Sequence, residues 1–217
     1  MRPSDVIDSA KRIIQDADLL RAPDTYSAAT LLDFVNQTLK TTATLRPDLF
    51  SYLTDISTVQ NTVTQTLPAD SARLVEIFAV KDGNAITEVS REVMDQSYPQ
   101  WRTEPAGIPV NYMRHVRNYN QYFLYPRPVR NIVLIGEYIQ IPPNYTLNQT
   151  IQLLPDNFFP AIVSGVVALV ASIESENARQ DRATYFRSQY ADILSISLQA
   201  RAGTDTEEGG LDPKQVI

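Results

Sequence analysis

The chain predicts an α+β protein: helices from both ends form one bundle, with an antiparallel β region inserted between them. Three observations carry this reading. Apolar residues recur at helical spacing before residue 50 and again after residue 150. Between those stretches Thr, Val, Ile and Tyr dominate and turn residues recur. The run Phe158–Ile173, FFPAIVSGVVALVASI, has no charge and no polar face, so it must be covered all round. The expected parts are a helical domain from 1–50 and 151–200, a β-rich insertion over 51–150, and a flexible C-terminal arm over 201–217.

The first helix is expected to start at Ser4 as N-cap, with Asp5 and Asp8 at the positive end of its dipole. Val6, Ala10, Ile13, Ile14 and Ala17 would line its buried face. After Ala22-Pro23-Asp24, Ser27 caps a second helix whose stripe is Ala28, Leu31, Leu32, Val35 and Leu39. That helix should fade near Leu45, because Pro47 disfavours helical geometry at Arg46.

In the middle, Arg73–Lys81 and Ala85–Val89 flank Asp82-Gly83-Asn84 and read as a hairpin. A short helix from Ser90 to Ser97, capped by Ser90, interrupts the strands, and Pro99–Pro109 is a loop. Met113–Val116 and Tyr122–Tyr125 read as a second hairpin. Ile132–Ile141 is a long strand, with Val133, Ile135, Ile139 and Ile141 on one face.

Helix then returns. Asp156 is placed to cap the apolar run, and a last helix spans about 177–198 with Phe186, Tyr190, Ile193 and Leu194 on one face. Arg179, Asp181, Arg182 and Arg187 would face water. The segment RAGTDTEEGGLDPKQVI that follows has three glycines, no aromatics and few apolar groups, too little to order itself alone.

Composition excludes several classes of function. With no cysteine there is no disulfide, iron–sulfur cluster or thiolate zinc site. A net charge of −6 argues against tight sequence-independent binding to nucleic acid, which needs clustered Lys and Arg. The acids near the N-terminus do not suit a signal peptide, and Phe158–Ile173, 16 residues carrying Pro160 and Gly165, is short of the roughly 20 apolar residues of a membrane span. No membrane and no cofactor are expected.

Catalytic patterns are equally sparse. His115 is the lone histidine, with no second imidazole for a metal and no orienting carboxylate in its local sequence. There is no phosphate-cradling glycine loop, and the acids of 174–176 and 205–208 form no metal-ligand spacing. One cluster stands out. Arg114, Arg117, Arg127 and Arg130 alternate with Tyr112, Tyr119, Tyr122, Phe123 and Tyr125, in a stretch without acids from Pro105 to Gly136. Such a mixture suits a single-strand nucleic-acid module. A half-buried sheet face edged by arginine gives the same pattern from β-propensity alone. As a protein interface, Arg114, Arg117, Tyr119, Tyr122 and Arg127 are the candidate residues, since Tyr and Arg are enriched at hot spots. The interface outranks nucleic acid, and a carboxylate-dependent hydrolase comes last.

The helix LLDFVNQTLKTTATLRPDLF, a Gln65-x-Leu67-Pro68 element, the strand Leu74–Ile77 and a terminal helix pair together resemble phage adaptor proteins. These form the head-to-tail connector family of short-tailed and related bacteriophages, sometimes called tail tubular protein A. The residues that carry the resemblance are Leu31, Leu32, Val35, Asn36, Arg46, Pro47 and Asp48, then Gln65, Leu67, Pro68 and Leu74–Ile77. It is specific over 1–80 and architectural over 155–200, with Tyr26 where family members carry an aromatic or Trp.

The resemblance implies a non-enzymatic virion protein of the neck or tail, present in the host cytoplasm during assembly. It implies a ring of twelve copies below the portal protein that continues the DNA channel without binding DNA specifically and offers a surface to the tail nozzle protein. It also implies that the C-terminal segment docks into the portal, which points to Arg201, Leu211, Pro213, Val216 and Ile217. Asn36 and Arg46–Asp48 would fix the helix end, and Gln65 and Pro68 the strand entry.

Overall fold

The computed structural model describes residues 1–16, 26–173 and 181–195. The class is mixed α and β, as expected. The chain divides into two compact units, Met1–Arg46 with Asn144–Ile217, and Pro47–Pro143.

In the first unit, helix α1 (Pro3–Asp16) begins one residue before the expected cap. Pro3 takes the first helical position, where its fixed φ and missing N–H cost nothing, and Ser4 lies inside the turn. Val6, Ile7 and Ala10 are buried, while Ile13 and Ile14 are only half-buried. Helix α2 (Ala28–Leu45) matches its sequence signals at both ends. Ser27 Oγ accepts from the Thr30 N–H at 3.1 Å, and Arg46 leaves the helix at φ −132. Its buried face is more polar than the apolar stripe suggests. Leu31, Val35 and Leu39 are buried with Asn36, Thr38 and Thr42, whereas Ala28 is exposed and Leu32 half-buried.

Helix α4 (Phe159–Ile173) packs against both α1 and α2. Every residue from Ala161 to Ala168 is buried, each large aliphatic contributing about 1.5–3 kcal/mol. By length and composition Asp156–Ile173 could cross a membrane; here α1 and α2 cover it. Pro155, not Asp156, occupies the cap position, and no side chain caps the 3-10 turn Asp156–Phe158 that leads in. Gly165 permits the close approach of α2: a Cβ there would lie 2.5 Å from Thr38 Cγ2.

Residues 181–195 form a helix, α5, that buries Ala183, Tyr190 and Leu194. Arg182 does not simply face water: it is half-buried and donates to the Ile13 carbonyl at 2.7 Å. Ala17, Arg179 and the outer ends of the expected 177–198 helix lie outside the described residues.

The second unit holds two sheets and one short helix, α3 (Arg91–Ser97). Its strands are β1 (Ser51–Ser57), β2 (Thr64–Thr66), β3 (Ser71–Val80), β4 (Thr87–Glu88), β5 (Asn111–Arg114), β6 (Gln121–Tyr125) and β7 (Val133–Gln140). One sheet has the order β1-β7-β3 and the other β2-β6-β5-β4. All pairs are antiparallel except β4 with β5, which run parallel. Alternation along β5 and β6 then decides the layers. Tyr112, Tyr122 and Leu124 point to the core shared with Ile56, Leu74, Ile77, Leu134 and Tyr138. Met113, Phe123 and Tyr125 point the other way, into a second cluster with Met94 and Trp101. The helix α3 and the Pro99–Pro109 loop thus cover the outer face of the second sheet.

The hairpin expectation changes here. The second arm of the first hairpin does not stay with β3. Ile86 N–H donates to the Phe78 carbonyl, but Thr87–Glu88 then pair with β5, which lets Ile86 enter the core. In the turn, Asp82 takes the left-handed conformation, at φ 59, a region Asp tolerates. On β7 Leu134, Gly136, Tyr138 and Ile139 are buried, and Ile141 is 45% exposed. The core side is that of Leu134, Gly136 and Tyr138; of the aliphatic face Val133, Ile135, Ile139 and Ile141, Ile139 alone is buried. Gly136 explains the choice, because a Cβ there would meet Ile56 Cδ1 at 2.8 Å and the Glu76 carbonyl at 2.9 Å.

Candidate functional site

His115 follows β5, and its ring packs against Phe123 with centroids 5.3 Å apart. Its Nδ1 accepts from two backbone N–H groups, Arg117 at 3.2 Å and Asn118 at 3.0 Å. The imidazole therefore shapes the β5–β6 turn, and its acceptor nitrogen is not free to take a substrate proton. Among the described residues no group of three His, Asp or Glu side chains could hold a metal ion.

The arginine–tyrosine cluster does not form one surface. Tyr112 and Tyr122 are 1% and 0% exposed and belong to the core between the sheets, so neither can stack on a base or contact a partner. Burial pushes the Tyr122 phenol far above its usual range, and its hydroxyl has no hydrogen-bond partner. Arg114 donates to Glu88 at 2.9 Å and to the Val75 carbonyl at 2.6 Å, so its charge is spent within the sheet. Tyr112 donates to the same Glu88 carboxylate at 3.0 Å. Arg117 and Tyr119 stand in the turn before β6, with Tyr119 63% exposed, whereas Arg127 follows β6 at its far end. Of the predicted interface set, Arg117 and Tyr119 remain together and accessible. Arg201, Leu211, Pro213, Val216 and Ile217 lie outside the described residues.

What the sequence singled out as motif residues proves to be a set of side-chain clamps on backbone. Asn36 does not fix the end of α2. Its amide donates to the Tyr145 carbonyl at 3.1 Å and accepts the Tyr145 N–H at 2.8 Å, pinning the chain where it returns to the helices. Arg46 is 5% exposed and donates to the Leu194 carbonyl, joining the exit of α2 to α5. Gln65, 1% exposed, binds the Val59 N–H, the Val59 carbonyl and the Thr62 carbonyl, closing the turn before β2. A buried amide satisfies backbone groups that would each cost about 1–3 kcal/mol if orphaned. Nothing local marks Tyr145 as the partner of Asn36, because 109 residues separate them.

This is the geometry of a shaped body, without converging acids, bases or nucleophiles among the described residues. Comparison with curated proteins gives no match. The SU10 adaptor protein family matches residues 1–211, nearly the whole chain. The chain belongs to that family. This adaptor is therefore a structural protein of the bacteriophage virion neck, acting with other virion components such as portal and tail. The clamps fit that role, since they hold shape and transform nothing.

Proposed function

We propose that this adaptor is a head-to-tail connector in the manner of tail tubular protein A. Twelve copies form a ring beneath the portal protein, continue the DNA channel and present a docking surface to the tail nozzle protein. The helices of both chain ends act as one rigid bundle, and Pro47–Pro143 as an inserted β layer. The observation that carries this reading is the extent of the family match. It spans residues 1–211 and so takes in most of both units. A net charge of −6 supports a channel that lets duplex DNA slide, because an acidic wall does not retain phosphates.

Residues 201–217 serve as the portal-binding arm, with Leu211, Pro213, Val216 and Ile217 as apolar contacts and Arg201 as the charged one. Arg117 and Tyr119, at the β5–β6 turn, are offered to the nozzle or to the neighbouring copy. Deleting 201–217 should abolish attachment to portal-bearing capsids while leaving the melting of the isolated protein unchanged. Undiminished attachment removes the arm from the mechanism. Mass measurement of the protein alone and with portal tests the ring itself.

A further inference from the structure

Helix α2 carries Thr38, Thr41, Thr42 and Thr44, and buried or half-buried threonines on helices usually return their hydroxyl to a carbonyl one turn back. Thr41 donates to Gln37, Thr42 to Thr38 and Thr44 to Lys40, at 2.8–3.0 Å. Thr38 does not. It is 3% exposed and its hydroxyl has no hydrogen-bond partner. It lines a cavity of about 150 Å³ between α2, α4 and α5, bounded also by Thr41, Gly165, Ala168, Leu169, Arg187 and Tyr190. Cavities of this size admit a molecule as large as benzene.

The lining has a direction. Thr38, Gly165, Ala168 and Tyr190 are buried and form the floor, whereas Thr41 and Arg187 are exposed at the rim. A water on the floor would need two to four polar partners. Only the Thr38 hydroxyl has a donor to spare there, because Thr41 donates to Gln37 and Thr42, itself donating to the Thr38 carbonyl, takes the Tyr190 hydrogen at 2.8 Å, which leaves the Thr41 and Tyr190 oxygens as acceptors. The rim offers a guanidinium, and no carboxylate pairs with Arg187 among the described residues. A fitting guest has a polar tip, an apolar stem and a negative charge at its base.

We propose that this cavity receives a glutamine or asparagine side chain from an acidic polypeptide segment of a partner. The side-chain amide reaches the Thr38 hydroxyl, the stem lies against Gly165, Ala168 and Leu169, and a carboxylate on the same segment meets Arg187. An amide tip can both accept from and donate to a hydroxyl, which satisfies Thr38 either way.

N-acetyl-L-glutamine carries all three features, and titrating it into the full chain while following the Thr38, Ala168 and Leu169 methyl resonances tests the site. Saturable shifts are expected, weakened about five-fold or more in Thr38→Val, as loss of one hydrogen bond predicts. N-acetyl-L-norvaline keeps the stem and the carboxylate but lacks the amide, so it should bind wild type and Thr38→Val alike. The uncharged amide of N-acetyl-L-glutamine should be indifferent to Arg187→Gln, which weakens both acids. Without ligand, Thr38→Val should raise Tm, because it removes a hydroxyl that nothing satisfies. A lowered Tm, no saturation, or equal affinity of N-acetyl-L-glutamine for wild type and Thr38→Val overturns the site. The titration uses the isolated adaptor, so its failure leaves the docking at the portal untouched.

Discussion

The two units solve the same problem by different means. In the helical unit, segments far apart in sequence must meet without a shared backbone ladder. Buried and half-buried side chains set their register: Asn36 on Tyr145, Arg46 on Leu194, Arg182 on Ile13 and Thr42 with Tyr190, across separations of 109 to 169 residues. In the β unit, ladders set the register; its long-range side-chain bonds, such as Thr58 with Ile132 and Gln140 with Asp70, lie alongside segments the strands already bring together, while Gln65 and His115 close turns two to six residues away. Long-range clamps specify which segments come together; local clamps tidy a course that the strands already fix.

This contrast makes Asn36→Ala the most damaging of four substitutions. It orphans a buried N–H and a buried carbonyl, and should cost about 2–4 kcal/mol in chemical denaturation, with the Tyr145 amide losing exchange protection first. Gly165→Ala comes next. Its new methyl falls on Thr38 Cγ2 where α2 and α4 touch, an overpacking loss of about 1–3 kcal/mol. Gln65→Ala removes more hydrogen bonds than Asn36→Ala, yet should cost only about 1 kcal/mol, with faster exchange confined to 59–62. The freed groups lie beside exposed Val59 and Gln60 and turn to water. Equal losses for Asn36→Ala and Gln65→Ala would break the comparison.

The smallest effect concerns pH. The Trp101 indole N–H, then Arg102, donate to Asp95 and hold its carboxyl below the usual 3.8. A carboxylate depressed on folding adds stability that is present above pH 3.8 and lost as pH falls through the folded value. Asp95→Asn should therefore lower the neutral plateau slightly and flatten the acid limb below about pH 4, where the two stability profiles converge.

Local chemistry in the sequence marked most element boundaries. Ser27, Pro47 and Ser90 each act within four residues, so α2 and α3 begin or end where their caps and breakers say. Pairing was harder to read, because it depends on residues the local window does not contain. The sequence grouped Val133, Ile135, Ile139 and Ile141 on one face of β7, yet it is Tyr138 and Leu134 that face the core, because Gly136 makes room between them. The arginine–tyrosine run looked like one patch, but strand alternation divides it between a core, an outer cluster and a turn. Asn36 was legible only as a residue of the family resemblance, and the fold alone supplies its partner.

Trp101 is the sole indole in the chain, and it is sealed at 2% exposure, edge-on to Phe123 with Arg102 4.2 Å from its ring. Its emission comes from a single address, the lid formed by α3 and the Pro99–Pro109 loop. Whatever lands on that lid during particle assembly should shift the emission of this one indole, excited beyond the absorption of the eleven tyrosines, with no dye attached.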